Sequence, residues 1–185
     1  MTSPVTAPAV RVGYVRWTVC ALLFFASTVN YIDRQVLGIL QIHPEVKALM
    51  GGVDAEANYG NVVFVFQFAY AISLLVAGRV MDKIGTRIGY ALSVTLWSLC
   101  SMSHSLARNA THFAISRFGL GLGEAGTFPA SIKTVAEWFP KKERALAIGL
   151  FNSGTNIGAL VAPMAVPFIA FNYGWRWAFL LTGII

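Results

Sequence analysis

Apolar residues run along the 185-residue chain in long blocks parted by short polar gaps. A helix that crosses a bilayer needs about 20 mostly apolar residues. Five blocks meet that need, over residues 17–40, 59–78, 88–106, 111–135 and 145–169, and a sixth opens at Trp175 and stops at Ile185. Those last 11 residues, at about 1.5 Å each, cover only half of a roughly 30 Å hydrocarbon core. The sixth span is therefore expected to be truncated and the chain to be a fragment of a longer protein. No gap is large enough for a separate soluble domain. The pattern predicts an all-α membrane protein, with a tail over residues 1–16 and one helical bundle over 17–185.

Composition agrees with that class. Hydrophobic residues make up 56% of the chain, charged residues only 12%, and the mean hydropathy is +0.63, well outside soluble usage. The net charge of +6 does not point to nucleic acid, because the basic residues are spread through the gaps rather than clustered with exposed aromatics. Arg11, Arg16, Arg79, Lys83, Arg87, Lys141, Lys142 and Arg144 fall on the side of the N-terminal tail, against Lys47, Arg108 and Arg176 on the other. This excess of basic residues predicts a cytoplasmic N-terminus. The basic N-terminus followed by an apolar run resembles a secretory leader, but no small-x-small cleavage site follows, so a retained first helix is expected. Cys20 and Cys100 lie inside apolar runs and propose no disulfide framework.

Five charges fall inside the spans. Asp33 and Arg34 stand in the first, and Arg117, Glu124 and, near the tail-side end, Lys133 in the fourth. A charge near the bilayer centre costs roughly 2.5–3.5 kcal/mol on insertion scales, so it usually marks a path for something polar. Arg117 and Glu124 are seven residues apart, close to two helical turns, and so share one face about 10 Å apart along the axis. Arg34 and Arg117 both fall about six residues from the far ends of their spans. Two guanidinium groups at one depth suit a carboxylate or phosphate, while an acid withdrawn from water suits a group that loads and releases protons. Mutual neutralisation between helices is the plain alternative. Asp33 and Arg34, being adjacent, point about 100° apart and cannot face one partner.

Further polar residues share these spans. Tyr31 lies one turn before Arg34, and Gln67 and Tyr70 are three apart in the second span. Asn152, Ser153, Thr155 and Asn156 give the fifth span unusual polarity, as a hydroxylated ligand or interhelical hydrogen bonding requires. Gly121, Gly123 and Gly126 match the dinucleotide pattern, which has meaning only between a strand and a helix; inside a span it is rejected. Gly119/Gly123 and Gly154/Gly158 are instead spacings that let helices approach closely, and Pro129, Pro163 and Pro167 are expected to bend their spans. Asn109-Ala110-Thr111 is a formal glycosylation sequon.

The gap after the second span carries Gly78, Asp82, Lys83, Gly85 and Arg87 in an order that resembles the signature loop of the major facilitator superfamily. Asn30-Tyr31, Asp33-Arg34, Gly123-Glu124-Ala125-Gly126 with Phe128-Pro129, and Trp138-Phe139-Pro140 with Glu143-Arg144-Ala145 resemble its anion:cation symporter branch. The run from Ile132 to Ala145, followed by Phe151 to Gly158, is most similar to the hexuronate transporters. The resemblance implies the N-terminal six-helix half of a twelve-helix fold, with three-plus-three inverted repeats in which spans one and four correspond. It further implies that Arg34 binds the substrate carboxylate and that Tyr31 and Tyr70 line the sugar site. Asp33 and Glu124 are then the protonatable acids, and Arg117 pairs with an acid to couple them. Gly78, Asp82, Gly85 and Arg87 are expected in a gate that latches the outward-open state. Thr155 stands where carriers of hexonates tend to have glutamine, which favours a hexuronate.

The expected function is proton-coupled uptake of an organic anion, a hexuronate such as glucuronate or galacturonate, across a bacterial inner membrane. The alternatives are exchange of an aldonate, dicarboxylate or sugar phosphate, and a membrane sensor that does not transport. No cofactor or metal is expected beyond protons as coupling ion. The expected partners are the small anion, the lipid bilayer and the missing C-terminal half, and the 185 residues alone are not expected to transport. An embedded enzyme would need a nucleophile–base pair or metal ligands at mid-membrane, and His43, His104 and His112 instead fall near the span ends.

Overall fold

A computed structural model describes residues 13–184. Most of the expected tail, including Arg11, and the final residue Ile185 lie outside the described residues. The chain folds as α1 (Val15–Leu40), α2 (Pro44–Leu49), α3 (Ala55–Ile84), α4 (Thr86–Ser103), α5 (Ala110–Trp138), α6 (Arg144–Tyr173) and α7 (Trp175–Ile184), with single 3-10 turns at Gly52–Asp54 and His104–Leu106. The long gap after the first span thus holds structure that the hydropathy pattern does not announce. His43 is extended before Pro44, which opens α2 as proline does where its missing N–H is harmless.

Two joints repeat one solution. α3 reaches α4 through Gly85 alone, at φ +83° and ψ 156°, and α6 reaches α7 through Gly174 alone, at φ +95° and ψ 150°. A side chain strains this conformation, so glycine sets both corners. The second and third spans of each three-helix set are therefore joined in the same way, in keeping with an internal repeat.

Helix pairing follows small residues. α1 packs along α6 and α3 along α5, while α4 lies against α5 and α7. A Cβ on Gly158 would stand 2.6 Å from the Thr28 carbonyl oxygen, and one on Gly154 would collide with that of Phe24. On α5, a Cβ at Gly121 would meet the Phe66 carbonyl at 2.7 Å and one at Gly123 the Trp97 amide at 2.7 Å. The apparent dinucleotide motif is thus the surface through which α5 touches α3 on one side and α4 on the other. Pro129 lies inside α5, and Pro163 and Pro167 inside α6, without ending either helix.

Three helical stretches are apolar and long enough to cross a membrane on their own: Val15–Leu40, Gly52–Ile84 and Arg144–Tyr173. α4 and α5 fall outside that set; α5 carries Arg117, Glu124, Lys133 and Glu137 along its length. Buried apolar clusters fill both ends of the bundle. Leu37, Met50, Phe113, Trp175 and Phe179 belong to the cluster at the far end, and Cys20, Leu23, Val135, Phe139 and Phe151 to that at the tail end. Leu22, Phe64, Leu75, Leu160, Met164 and Phe171 point outward, exposure that a bilayer rather than water accommodates.

Candidate functional site

Three of the charges inside the spans, Arg34, Arg117 and Glu124, come together where α1, α3 and α5 meet. α1 and α5 carry Arg34 and Glu124 to the same depth, and Arg34 Nε donates to Glu124 Oε2 at 2.5 Å. Glu124 is fully buried, whereas the Arg34 side chain keeps 32% of its surface. α3 contributes a ring stack, Phe66 on Tyr70 with centroids 6.0 Å apart. The Arg34 guanidinium lies 4.7 Å from the Tyr70 centroid and 5.6 Å from that of Phe66. Arg117 also lies 5.6 Å from Phe66, so one ring is shared by two guanidinium groups. Cation–π attraction offsets part of the repulsion between them.

Two cavities meet at Arg34. The one toward the tail end, of about 180 Å³, is lined by Ser27, Asn30, Tyr31, Arg34, Tyr70, Glu124, Thr127, Phe128, Ser131, Phe151, Asn152 and Thr155. The other, of about 160 Å³, is lined by Arg34, Leu37, Tyr59, Val63, Phe66, Gln67 and Arg117. In the wall of the first, Asn30 Nδ2, Thr127 Oγ1 and Glu124 Oε1 are buried and have no hydrogen-bond partner among the described residues. Buried polar atoms left unpaired cost about 1–3 kcal/mol each. Three in one wall make a polar surface matched to a hydroxylated or charged ligand.

The sequence-derived candidates are thus divided. Arg34, Tyr31, Tyr70, Glu124 and Thr155 share the first cavity, while Gln67 and Arg117 line the second. Asn156 is exposed and lines neither cavity; it lies one helical step from Thr155, and Asn152, a turn back, takes its place. Thr155 Oγ1 donates to the Asn152 carbonyl at 2.7 Å within its own helix. Asp33 turns away from both cavities, and its Oδ1 accepts from Ser101 Oγ at 2.5 Å on α4 and from Thr182 Oγ1 at 3.1 Å on α7. Arg117, expected to pair with an acid, makes no ion pair among the described residues; its Nη2 reaches the Arg34 carbonyl at 3.5 Å.

The loop after α3 is likewise rearranged. Asp82 pairs with Lys133 of α5 at 2.9 Å, not with Arg87, which makes no ion pair among the described residues. Gly85 lies between Asp82 and Arg87 and redirects the chain, so the two side chains leave on different helices. Thr86 Oγ1 adds a 2.5 Å bond to Glu137 on α5, and Arg16 holds Glu143 at 3.1 Å. Gly78 lies on exposed α3 surface with open space around it. Asn109 of the sequon caps α5 instead, accepting from the His112 amide at 2.9 Å. Phe66, Thr127, Ser101 and Thr182 enter the site or its support without a distinctive sequence signal, although hydroxyls inside apolar spans are a weak one; Asn30 stands in the motif beside Tyr31 but its place in the cavity wall is seen only in the fold.

Comparison with known proteins bears on this arrangement. A galacturonate transporter of Dickeya chrysanthemi is 32% identical over 175 residues, covering 95% of this chain and 50% of that protein. A hexuronate transporter of Escherichia coli K12 is 33% identical, covering 95% and 40%, and a probable L-galactonate transporter of the same strain is 34% identical, covering 95% and 38%. The chain therefore spans half or less of the length of these relatives. Among solved structures, a bacterial homologue of the human lysosomal transporter Spinster matches with a TM-score of 0.78 inward-facing and unoccupied, and 0.79 inward-facing and occupied. Identity is 24% in both, over 91% and 92% of this chain and 40% and 42% of the solved chains, which shows the fold alone. The family model of the Major Facilitator Superfamily matches residues 23–185, every described transmembrane helix beyond the first turns of α1 lies within that match, and the chain is accordingly a multi-pass membrane protein that belongs to the Major Facilitator Superfamily.

Proposed function

We propose that the full-length protein carries a hexuronate, glucuronate or galacturonate, across a bacterial inner membrane together with protons, with its N-terminus in the cytoplasm. The observation that carries this reading is the buried Arg34–Glu124 pair at 2.5 Å in a cavity whose wall holds three unpartnered polar atoms. Arg34 is the group in that wall able to take a carboxylate, and Glu124 occupies it. A proton on Glu124 removes the competing charge and leaves the guanidinium to the incoming anion, so anion and proton load together. Asn30, Thr127 and Tyr31 then offer donors and acceptors for sugar hydroxyls, with Tyr70 as a flat face. The names of the relatives supply the substrate class, and the excess of basic residues at the tail end supports the orientation.

Uptake of labelled glucuronate and galacturonate by cells expressing the full-length protein, followed against external pH with Arg34→Ala and Glu124→Gln, tests the reading. Uptake should rise as pH falls and vanish in Arg34→Ala. Absence of uptake for every hexuronate removes the substrate; proton-driven accumulation unchanged in Glu124→Gln removes the coupling. A second reading, exchange of a dianion such as a dicarboxylate or sugar phosphate, draws on Arg117, which lies beside Arg34 on the second cavity without an acid of its own. It requires transport driven by a counter-anion at constant pH.

A further inference from the structure

A second hollow lies away from the charge cluster. It is an open groove of about 700 Å³ at the far end, between the last turn of α4, the start of α5 and the start of α7. Ser103, Ser105, Arg108, His112, Ser116 and Arg176 supply its polar groups, and Leu106, Ile115 and Leu180 its apolar floor. No acid lines it. Glu45, an acid of that end, is engaged by Trp175 Nε1 at 2.8 Å and faces elsewhere.

The donors in this cavity sort themselves by what they already hold. Ser103 Oγ donates to the Cys100 carbonyl at 2.6 Å and lies 2.8 Å from Ser116 Oγ, from which it can accept, and Ser105 Oγ donates to the Met102 carbonyl at 2.7 Å. The serines are thus committed inside the helices. Arg176 is held by Nε on the Ser105 carbonyl at 3.1 Å and by its guanidinium 4.6 Å from the Trp175 ring, which leaves its terminal nitrogens outward. His112 Nδ1 accepts from the Arg108 amide at 3.3 Å, so the ring proton of the neutral imidazole is on Nε2. What remains for a ligand is two guanidinium groups and one imidazole N–H.

We propose that this cavity seats an anionic phospholipid. Its phosphate diester is held by Arg108, Arg176 and His112, and its acyl chains lie over Leu106, Ile115 and Leu180. Exposure supports the lipid side of the proposal: Leu106 is 76% and Ile115 65% exposed, apolar surface continuous with the flank of the bundle. Tyr173 and Trp177, 66% and 49% exposed, place this end at the membrane–water boundary, where such rings concentrate. Charge decides the headgroup. A choline or ethanolamine cation would enter a wall that has two arginines and no acid, whereas a glycerol headgroup leaves the net anion that the wall neutralises. The proposal needs only that the bundle lies in a bilayer, and stands apart from the transported substrate.

Native mass spectrometry of the full-length protein, supplied with phosphatidylglycerol or phosphatidylcholine of the same chains, tests it. Phosphatidylglycerol should be retained in preference, and Arg108→Gln and Arg176→Gln should each reduce retention about fivefold. Arg108 is exposed and its guanidinium has no intramolecular partner among the described residues, so Arg108→Gln remains decisive if loss of the Arg176–Ser105 bond impairs folding. Equal retention of the two lipids, unchanged retention in Arg108→Gln, or displacement of the lipid by soluble glycerol 1-phosphate would each overturn the assignment.

Discussion

Replacing Glu124 by glutamine keeps the side-chain volume in a fully buried position and removes one charge. In the native protein an anion that binds Arg34 must displace the Glu124 carboxylate, held at 2.5 Å. A hydrogen bond between charged groups contributes about 1.5–3 kcal/mol. The 32% exposure of the Arg34 side chain admits screening and moves the value toward the lower limit. A neutral amide still accepts from Nε but no longer competes as an anion. Most of that 1.5 kcal/mol therefore returns to the ligand, about a tenfold gain in affinity. Glu124→Gln should bind galacturonate about tenfold more tightly, with an affinity that has lost the pH dependence Glu124 confers, while accumulation against a gradient is lost. Equilibrium binding of labelled galacturonate to the purified full-length protein, measured from pH 5.5 to 8 with uptake in parallel, reads both effects. Weaker binding in Glu124→Gln would refute the reasoning, because Glu124 would then be a contact of the substrate rather than its competitor.

Other perturbations follow from neighbouring contacts. Gly158→Val drives a branched side chain against the Thr28 carbonyl, 2.6 Å from the Cβ position, and against Tyr31 at 3.0 Å; overpacking of this kind costs about 1–3 kcal/mol, to be seen as a lower unfolding temperature in detergent and reduced uptake. Ser101→Ala with Thr182→Val strips both hydroxyl donors from Asp33, and a buried acceptor left unpaired costs about 1–3 kcal/mol; adding Asp33→Leu should recover part of the thermal stability, and a further loss on that addition would contradict the account. Asp82→Asn breaks an ion pair whose acid is 75% exposed, so stability should change by less than about 1 kcal/mol. A collapse in expression would show that this latch holds the fold.

The parts of the site that were legible in the sequence are those set by helical periodicity and membrane depth. Depth in the spans puts Arg34 level with Arg117 and Glu124 nearer the midplane, and a seven-residue spacing fixes the face that Glu124 shares with Arg117; the 2.5 Å contact of Arg34 with Glu124 does not follow from that depth and emerges only when α1 and α5 pack. The divergence of Asp33 from Arg34 also follows from adjacency, but its direction does not. That depends on Ser101 and Thr182, hydroxyls on two other helices whose rotation no single span reveals. Asn156 illustrates the limit from the other side: a polar cluster marks a region, while about 100° per residue decides which members reach a cavity. The partner of Asp82 is likewise not given by closeness in sequence: the corner at Gly85 sends Arg87 onto α4, and Lys133 of α5 takes the ion pair. Phe66 carried no signal at all, being one aromatic among many in an apolar run, and its role arises only when two guanidinium groups converge on its ring.

Asp33 and Arg34 are consecutive on α1, yet their bonds run to different helices, the acid to α4 and α7 and the base to α5. α1 is thereby tethered by polar bonds on two sides at one level. The Asp33 tethers are to neutral hydroxyls and involve no change of partner charge, whereas the Arg34 tether is to an acid that a proton can neutralise. Any event at Glu124 therefore loosens α1 on the α5 side and leaves it fixed on the other. A ligand shifts a conformational equilibrium only by the difference in its affinity for the two states, so under the proposed function the movement is one in which Arg34 exchanges Glu124 for the anion while Asp33 keeps its bonds. Close glycine contacts along α6 leave α1 little room to translate there. The remaining freedom is a change of its seating against α5, the helix that presents Arg117 and Glu124 to it. A disulfide introduced between α1 and α5 at the level of Arg34 should therefore abolish uptake while leaving galacturonate binding within a few-fold of its original value, and unimpaired uptake in the oxidised protein would exclude this movement.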